Sequence, residues 1–155
     1  RSAQRGGSPE RERLRLAATM LVVAAQSIEP NLRLAHALDW ALHKRWIGLD
    51  DTGRAMIAAC AVGNAGLDAW PGELDRLAAQ EDLRAAHAWG LAIRLCRRFS
   101  GLSPKALELS KLAVADGKLA LTVDGSLGAL RSEGTAKDLR NLAESLTIEP
   151  SLQVR

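Results

Sequence analysis

The sequence predicts a mainly α-helical domain with a small α+β appendix at its C-terminal end. Apolar residues recur at helical spacing over most of residues 9–99. A period-two apolar pattern then crosses an Asp-Gly pair, which is typical of a β-hairpin. At 155 residues, with 47% apolar residues, the chain is long enough for one substantial core. We predict a disordered leader at 1–8 and a single domain over 9–155.

The first helix is predicted from its start signals. Ser8 offers a hydroxyl cap, Pro9 suits the first helical position, and Glu10 places an acid in the first turn. Helix one is therefore expected over 9–27. We interpret the apolar run over 16–25 as the buried side of this helix.

The second and third helices form the centre of the predicted core. Asn31 is expected to cap a helix over 31–46, which ends at a glycine-containing break. Asp50 is expected to cap a third helix over 51–63, closed by a glycine-rich end. This third helix is apolar on nearly every side, so we expect the rest of the chain to surround it.

Two further helices are predicted before the hairpin. The Trp70-Pro71-Gly72 turn precedes a short helix over 72–79, and the longest helix is expected over 82–99. Three arginines end the long helix, where cations favour the negative end of the helix dipole. The apolar positions of this helix predict a buried inner face.

The C-terminal appendix begins with a hairpin over 109–124. Its turn is Asp116-Gly117, which suits a two-residue connection. The resulting register pairs Ala115 with Lys118, Val114 with Leu119, and Leu112 with Leu121, which puts four branched aliphatic side chains on one side.

A last helix is expected to cover this apolar side of the hairpin. Thr135 is the predicted cap of a helix over 135–145, and a short edge strand is predicted over 152–154. The inner stripe of the helix is expected to consist of Leu139, Leu142 and Leu146.

One set of residues has metal-ligand spacing. His36, Asp39 and His43 follow one another at three and four residues, so one helix face could present them together. A stable site needs a further ligand from another element, and the remaining histidine stands alone among alanines. We therefore expect helical surface polar residues here, with no metal site.

A second pattern is similar to a phosphate-binding loop. The run from Asp124 to Gly128, Asp-Gly-Ser-Leu-Gly, resembles the loops of actin-like phosphotransferases, in which glycines let backbone amides approach phosphate. It follows an isolated hairpin instead of the longer sheet that such a loop requires, so a simple turn is expected. Without a nucleophile, base and acid in a recognisable set, we expect the chain to have no catalytic activity of its own.

The cations are unevenly divided between residue types. There are sixteen arginines and five lysines, and guanidinium groups bind carboxylates and phosphates in a bidentate manner. Arg54 lies near the positive end of its helix, where it invites either an anion or an acidic neighbour such as Asp50 or Asp51. The candidate polyanion-binding residues are His43, Lys44, Arg45, Arg54, Arg94, Arg97 and Arg98.

The cysteines and the hydropathy indicate where the protein resides. Cys60 and Cys96 lie in apolar helical patterns without Cys-x-x-Cys spacing, so buried free thiols in a reducing cytoplasm are expected. No segment reaches the ~20 apolar residues of a membrane span, so no membrane partner is expected. Nucleic acid is also not expected as a partner, because no helix is rich enough in Arg, Asn and Gln to read it.

The order of these elements is similar to that of a known family. The similarity is carried by Trp40 to Ala55, which reads WALHKRWIGLDDTGRA, by the long helix near 85–98, and by the closing segment from Leu107 through Leu119-Ala120-Leu121. Together they resemble the C-terminal, HD-like helical domain of the exopolyphosphatase/guanosine pentaphosphatase (Ppx/GppA) family, in particular its alphaproteobacterial members.

The resemblance implies a larger enzyme with two actin-like domains that bind Mg²⁺ and release the terminal phosphate of inorganic polyphosphate or of guanosine pentaphosphate. In that setting this chain would be a noncatalytic domain that binds the polyanion and takes part in a homodimer. His43 and Arg54 match the family's pattern. At Ala24-Ala25-Gln26 the chain lacks the His-Asp pair of HD phosphohydrolases, so no metal-dependent HD activity is expected. The alternative is a purely structural oligomerisation module without a ligand of its own.

Overall fold

The computed structural model describes residues 8–130 and 132–154, so most of the predicted leader at 1–8 lies outside the described residues. The chain forms two compact units, residues 1–90 and residues 91–155. The division falls inside one continuous helix instead of in a linker. The predicted fold class is confirmed: helices dominate, and a small sheet and a helix follow at the C-terminal end.

The helical unit contains α1 (Pro9–Ala24), α2 (Arg33–His43), α3 (Asp51–Ala65) and the first half of α4 (Gln80–Ser100). Helix α3 lies at its centre, with α1 and α2 packed against it. Eleven of the fifteen α3 residues are buried, because almost all of them are small or apolar. The two 3-10 helices of this unit span Ala25–Ser27 and Gly72–Arg76.

Several helix ends agree with the sequence predictions. The hydroxyl of Ser8 accepts a hydrogen bond from the Arg11 amide, and Pro9 is the first helical residue. Asp50 caps α3 by accepting from the Gly53 amide at 2.8 Å. Gly66 closes α3 in the left-handed conformation, with φ +81°, where a side chain would be strained. The glycine-rich end was predicted, but the helix runs to Ala65, two residues beyond the predicted end at 63.

Helix α2 is shorter than predicted at both ends. Asn31 does not cap it. The residue at the cap position is Leu32, which offers no side-chain cap and whose amide donates to the Glu29 carbonyl in the preceding turn. The helix ends at His43 instead of 46, and Lys44 is extended. The predicted helix over 72–79 is likewise only a short 3-10 helix.

The second unit contains the last half of α4, α5 (Pro104–Glu108), three strands and α6 (Glu133–Ser145). The strands β1 (Ser110–Ala115), β2 (Lys118–Val123) and β3 (Glu149–Val154) form one sheet in that order. The predicted hairpin register between β1 and β2 is confirmed in full. Strand β3 is an edge strand, as expected, but it begins at Glu149 instead of 152, and it runs parallel to β2.

Helix α6 packs against β2 and β3 and buries Leu119, Leu121 and Leu139. Its cap is Ser132, which accepts from the Thr135 amide, so the prediction of Thr135 as the cap was wrong by one turn. Two predicted inner residues also lie outside this core: Leu146 follows the helix and is 42% exposed, and Val114 is 62% exposed.

The sequence contains no segment with the length and hydropathy expected of a membrane span, and the helices can be compared with that prediction. Among the residues that the structure describes, no helix is both long enough and apolar enough to cross a bilayer.

Candidate functional site

The seven candidate residues divide into two groups, one in each unit. The first group surrounds the connection between α2 and α3, residues 43–50, which we call the α2–α3 corner. The second group lies on the C-terminal half of α4. The corner group contains His43, Lys44, Arg45 and Arg54, and the α4 group contains Arg94, Arg97 and Arg98.

Arg54 holds the corner together from the first turn of α3. One of its guanidinium nitrogens donates to the carbonyl of Leu42 at 3.1 Å and to the carbonyl of Lys44 at 2.7 Å. In a continuing helix the Leu42 carbonyl would accept from the amide four residues on. The guanidinium therefore supplies a donor to a carbonyl that has no helical partner once α2 has ended at His43. The expected neighbours, Asp50 and Asp51, are not the partners that these bonds use.

Tryptophans brace the same corner. The indole nitrogen of Trp46 donates to the Trp40 carbonyl at 2.8 Å. The Lys44 ammonium lies 5.0 Å from the centre of the Trp40 ring, within the range of a cation–π contact. Gly48, with φ +75°, lets the chain turn into α3. The α2–α3 corner is thus a turn whose backbone is held by side-chain contacts.

Three consecutive side chains of the corner point to solvent. His43, Lys44 and Arg45 are all exposed. The His43 ring lies 3.1 Å from the Asp39 carboxylate, with 73% of its side chain accessible. These residues offer an anion two permanent charges and one imidazole, while the carboxylates of Asp39 and Asp50 reduce the local positive potential.

The α4 group is engaged differently. Arg94 donates to Asp138 at 3.2 Å, and Arg98 donates to both oxygens of the same carboxylate at 2.9 Å and 2.8 Å. Asp138 lies on α6 and its side chain is only 3% exposed. A buried carboxylate is stable only when it is paired, so these two arginines serve the packing of α4 against α6. Arg97 is half-buried on the same helix.

Sequence reasoning missed Asp138. The signal was present: Arg94 and Arg98 lie one turn apart on one helix face, and Asp138 directly precedes the buried Leu139 in the inner stripe of α6. An acid in a buried stripe needs a cationic partner, and the two arginines supply it.

No family model and no curated protein matches this chain.

The two other motifs have structural explanations. His36 packs edge-on against Trp40, while His43 pairs with Asp39. Across residues 8–130 and 132–154 no three His, Cys, Asp or Glu side chains are grouped to hold a metal ion. Asp124 accepts from both the amide and the hydroxyl of Ser126, and a 3-10 helix over Gly125–Leu130 follows. This is a local turn of the kind expected.

Both cysteines are free, and burial raises the pKa of each thiol. Loss of hydration raises the pKa of Cys60 from 9.0 to about 12. For Cys96 the same effect is partly offset by a backbone hydrogen bond. Burial therefore lowers the thiolate fraction of both cysteines near neutral pH, and the thiolate is the reactive form.

Proposed function

We propose that this chain is a noncatalytic domain of an exopolyphosphatase-type hydrolase, that it holds inorganic polyphosphate at the α2–α3 corner, and that it takes part in a homodimer. The observation that carries the polyphosphate proposal is the exposure of three consecutive residues, His43, Lys44 and Arg45, on a turn that Arg54 fixes. The cleavage of phosphate, and the Mg²⁺ that supports it, belong in this proposal to actin-like domains of a larger chain.

The geometry suits a polyanion better than a single small ligand. The three side chains stand on an open surface, so a linear chain of phosphates can run past them. Because the Trp40 ring already restricts Lys44, the ammonium loses less conformational freedom on binding. The nearby Asp39 opposes the anion, so we expect weak binding that depends strongly on salt.

Arg94 and Arg98 receive a structural role in this proposal. Both are already hydrogen-bonded to the buried Asp138, and detaching them would leave that carboxylate unpaired. The polyphosphate contact is therefore assigned to the helical unit alone.

The test compares two double variants by fluorescence anisotropy with end-labelled polyphosphate. Lys44→Gln with Arg45→Gln removes the two permanent charges of the corner. Arg76→Gln with Arg84→Gln removes two exposed charges from the same unit and is the matched control. We expect a loss of affinity of about tenfold at low salt for the corner variant, and less than about twofold for the control. Equal losses, or no binding by the unmodified chain at low salt, would refute the proposal.

One observation favours the second candidate, a structural oligomerisation module without a ligand. Arg54, Arg94 and Arg98 all direct guanidinium groups to acceptors within the chain. A chain that self-associates but does not bind polyphosphate in the same titration would fit this candidate.

A further inference from the structure

Helix α1 carries apolar side chains on two opposite sides. One side, which includes Leu21 and Val22, is buried against the rest of the helical unit. The other side carries Leu16, Met20 and Val23, which are 60%, 64% and 45% exposed. The prediction that the whole run over 16–25 forms the buried side was therefore wrong for these three residues.

The three exposed residues form one continuous stripe. They follow at spacings of four and three, which places them within an arc of roughly 60° on the helix surface. The buried Leu21 and Val22 lie on the far side of the same helix. This is the spacing of an a/d seam between two packed helices. A surface helix of a single folded unit needs only one apolar face, so the second face indicates a partner.

We infer that this stripe, Leu16-Met20-Val23, is the contact surface for a second copy of the chain, with the two α1 helices antiparallel and Met20 next to the twofold axis. The inference rests on the dimerisation part of the proposed function and assigns it to one surface. In this arrangement Leu16 of each copy packs close to Val23 of the other, so the apolar stripe is covered along its length.

Charge favours the antiparallel orientation. Arg13 lies one turn before the stripe and is exposed, and Glu29 follows the C-terminal end of the helix and is also exposed. Antiparallel packing brings Arg13 opposite Ser27 of the second copy, two residues from its Glu29. Parallel packing would instead place Arg13 beside Arg13 and align the two helix dipoles unfavourably.

The size of the surface sets the expected strength. Three large side chains on a 16-residue helix present less area than the roughly 800 Å² per partner of a standard stable interface. The dimer formed by this chain alone should therefore dissociate on dilution.

The first test is sedimentation velocity over a roughly hundredfold range of chain concentration. The unmodified chain should shift from monomer to dimer, and Met20→Glu should remain monomeric because two carboxylates would meet at the axis. Val114→Glu changes an equally exposed apolar residue of the other unit and should dimerise normally. A chain that stays monomeric throughout, or a Met20→Glu variant that dimerises like the unmodified chain, overturns the inference.

Mixing charge variants tests the symmetry directly. Met20→Glu and Met20→Lys should each be monomeric, and an equimolar mixture should form a heterodimer, because the axis pairs position 20 with itself. In a Cys96→Ala background, oxidation should cross-link Leu16→Cys to Val23→Cys and Met20→Cys to itself. Efficient cross-linking of Leu16→Cys to itself would show parallel helices and contradict the arrangement.

The same variants separate this inference from the polyphosphate proposal. Met20 lies on α1, away in sequence from the corner, so Met20→Glu should bind polyphosphate through the corner with less than about threefold loss per chain. A monomeric Met20→Glu that keeps binding supports both proposals. If the Lys44→Gln, Arg45→Gln variant dimerises normally and the unmodified chain does not bind polyphosphate, only the proposal that the corner binds polyphosphate is refuted.

Discussion

One guanidinium nitrogen of Arg98 donates to both carboxylate oxygens of Asp138, at 2.9 Å and 2.8 Å. Asp138 is 3% exposed and Arg98 is 41% exposed, so the acid is buried while its partner extends to solvent. The pair joins α4 to α6 inside the second unit. It also means that a cation-rich helix end, read from sequence as a ligand surface, has a function within the fold.

Replacing Asp138 should destabilise the protein. Asp138→Asn removes the negative charge that Arg94 and Arg98 share, and the partly exposed arginines recover part of the loss by hydration. We expect the free energy of unfolding to fall by about 2–3 kcal/mol in urea titrations. Glu144→Gln, an exposed acid on the same helix, is the control and should change it by less than about 0.5 kcal/mol. A stable Asp138→Asn would show that this pair contributes little.

Arg54 should be important for stability for a different reason. Arg54→Ala leaves the carbonyls of Leu42 and Lys44 without their donor, and an α2 end without a partner is unfavourable. The expected loss is about 1–3 kcal/mol. Arg84→Ala removes an exposed arginine from α4 and should be nearly neutral. Thermal unfolding of the two variants side by side measures the difference, and equal melting temperatures would contradict the assigned role.

Gly90 allows α4 to approach α3 closely. A Cβ atom there would overlap the Cys60 carbonyl oxygen and lie 2.6 Å from the Asn64 amide nitrogen, both in the backbone of α3. Gly90→Ala should therefore cost about 2–3 kcal/mol of stability, even though alanine favours helix formation. Gly72→Ala is the matched control, since a Cβ there meets nothing within 4 Å. If both variants unfold at the same urea concentration, the helices are not in such close contact.

The Cys60 thiol predicts how stability changes at alkaline pH. Its pKa is about 12 in the folded protein, against 9.0 ordinarily, because burial disfavours the thiolate. Above pH 9 the unfolded chain loses this proton and the folded chain keeps it, so stability falls as pH rises towards 12. Between these two pKa values the Cys60 thiol lowers the free energy of unfolding by about 1.4 kcal/mol per pH unit.

Comparison with Cys60→Ala isolates this effect from other titrating groups. The difference in free energy of unfolding between the unmodified chain and Cys60→Ala should be constant up to pH 9. It should shrink at higher pH as the unmodified chain loses stability. Urea titrations at several pH values provide the measurement. A constant offset through pH 11 would show that the thiol does not titrate as expected.

Much of the fold follows from local signals. Ser8 and Asp50 cap the starts of their helices as predicted, because caps depend on a few adjacent backbone groups. The Asp-Gly turn sets the hairpin register for the same reason. Thr135 failed as a cap because Ser132, one turn earlier, offers an equivalent hydroxyl that the local pattern does not distinguish. Asn31 failed because α2 begins two residues later, after Leu32, and has no side-chain cap there.

The sequence by itself determined the fold class, the strong caps, the hairpin register and the burial of α3, since each depends on neighbours along the chain or on composition. Tertiary structure decided the partners of the arginines. Arg54 donates to carbonyls at the end of α2, and Arg98 donates to Asp138, 40 residues away. It also decided which apolar face of α1 is buried, because a helix with two such faces can bury only one against a single α3. Side-chain pairing and the choice between equivalent faces depend on which elements meet in space, and spacing along the chain does not contain that information.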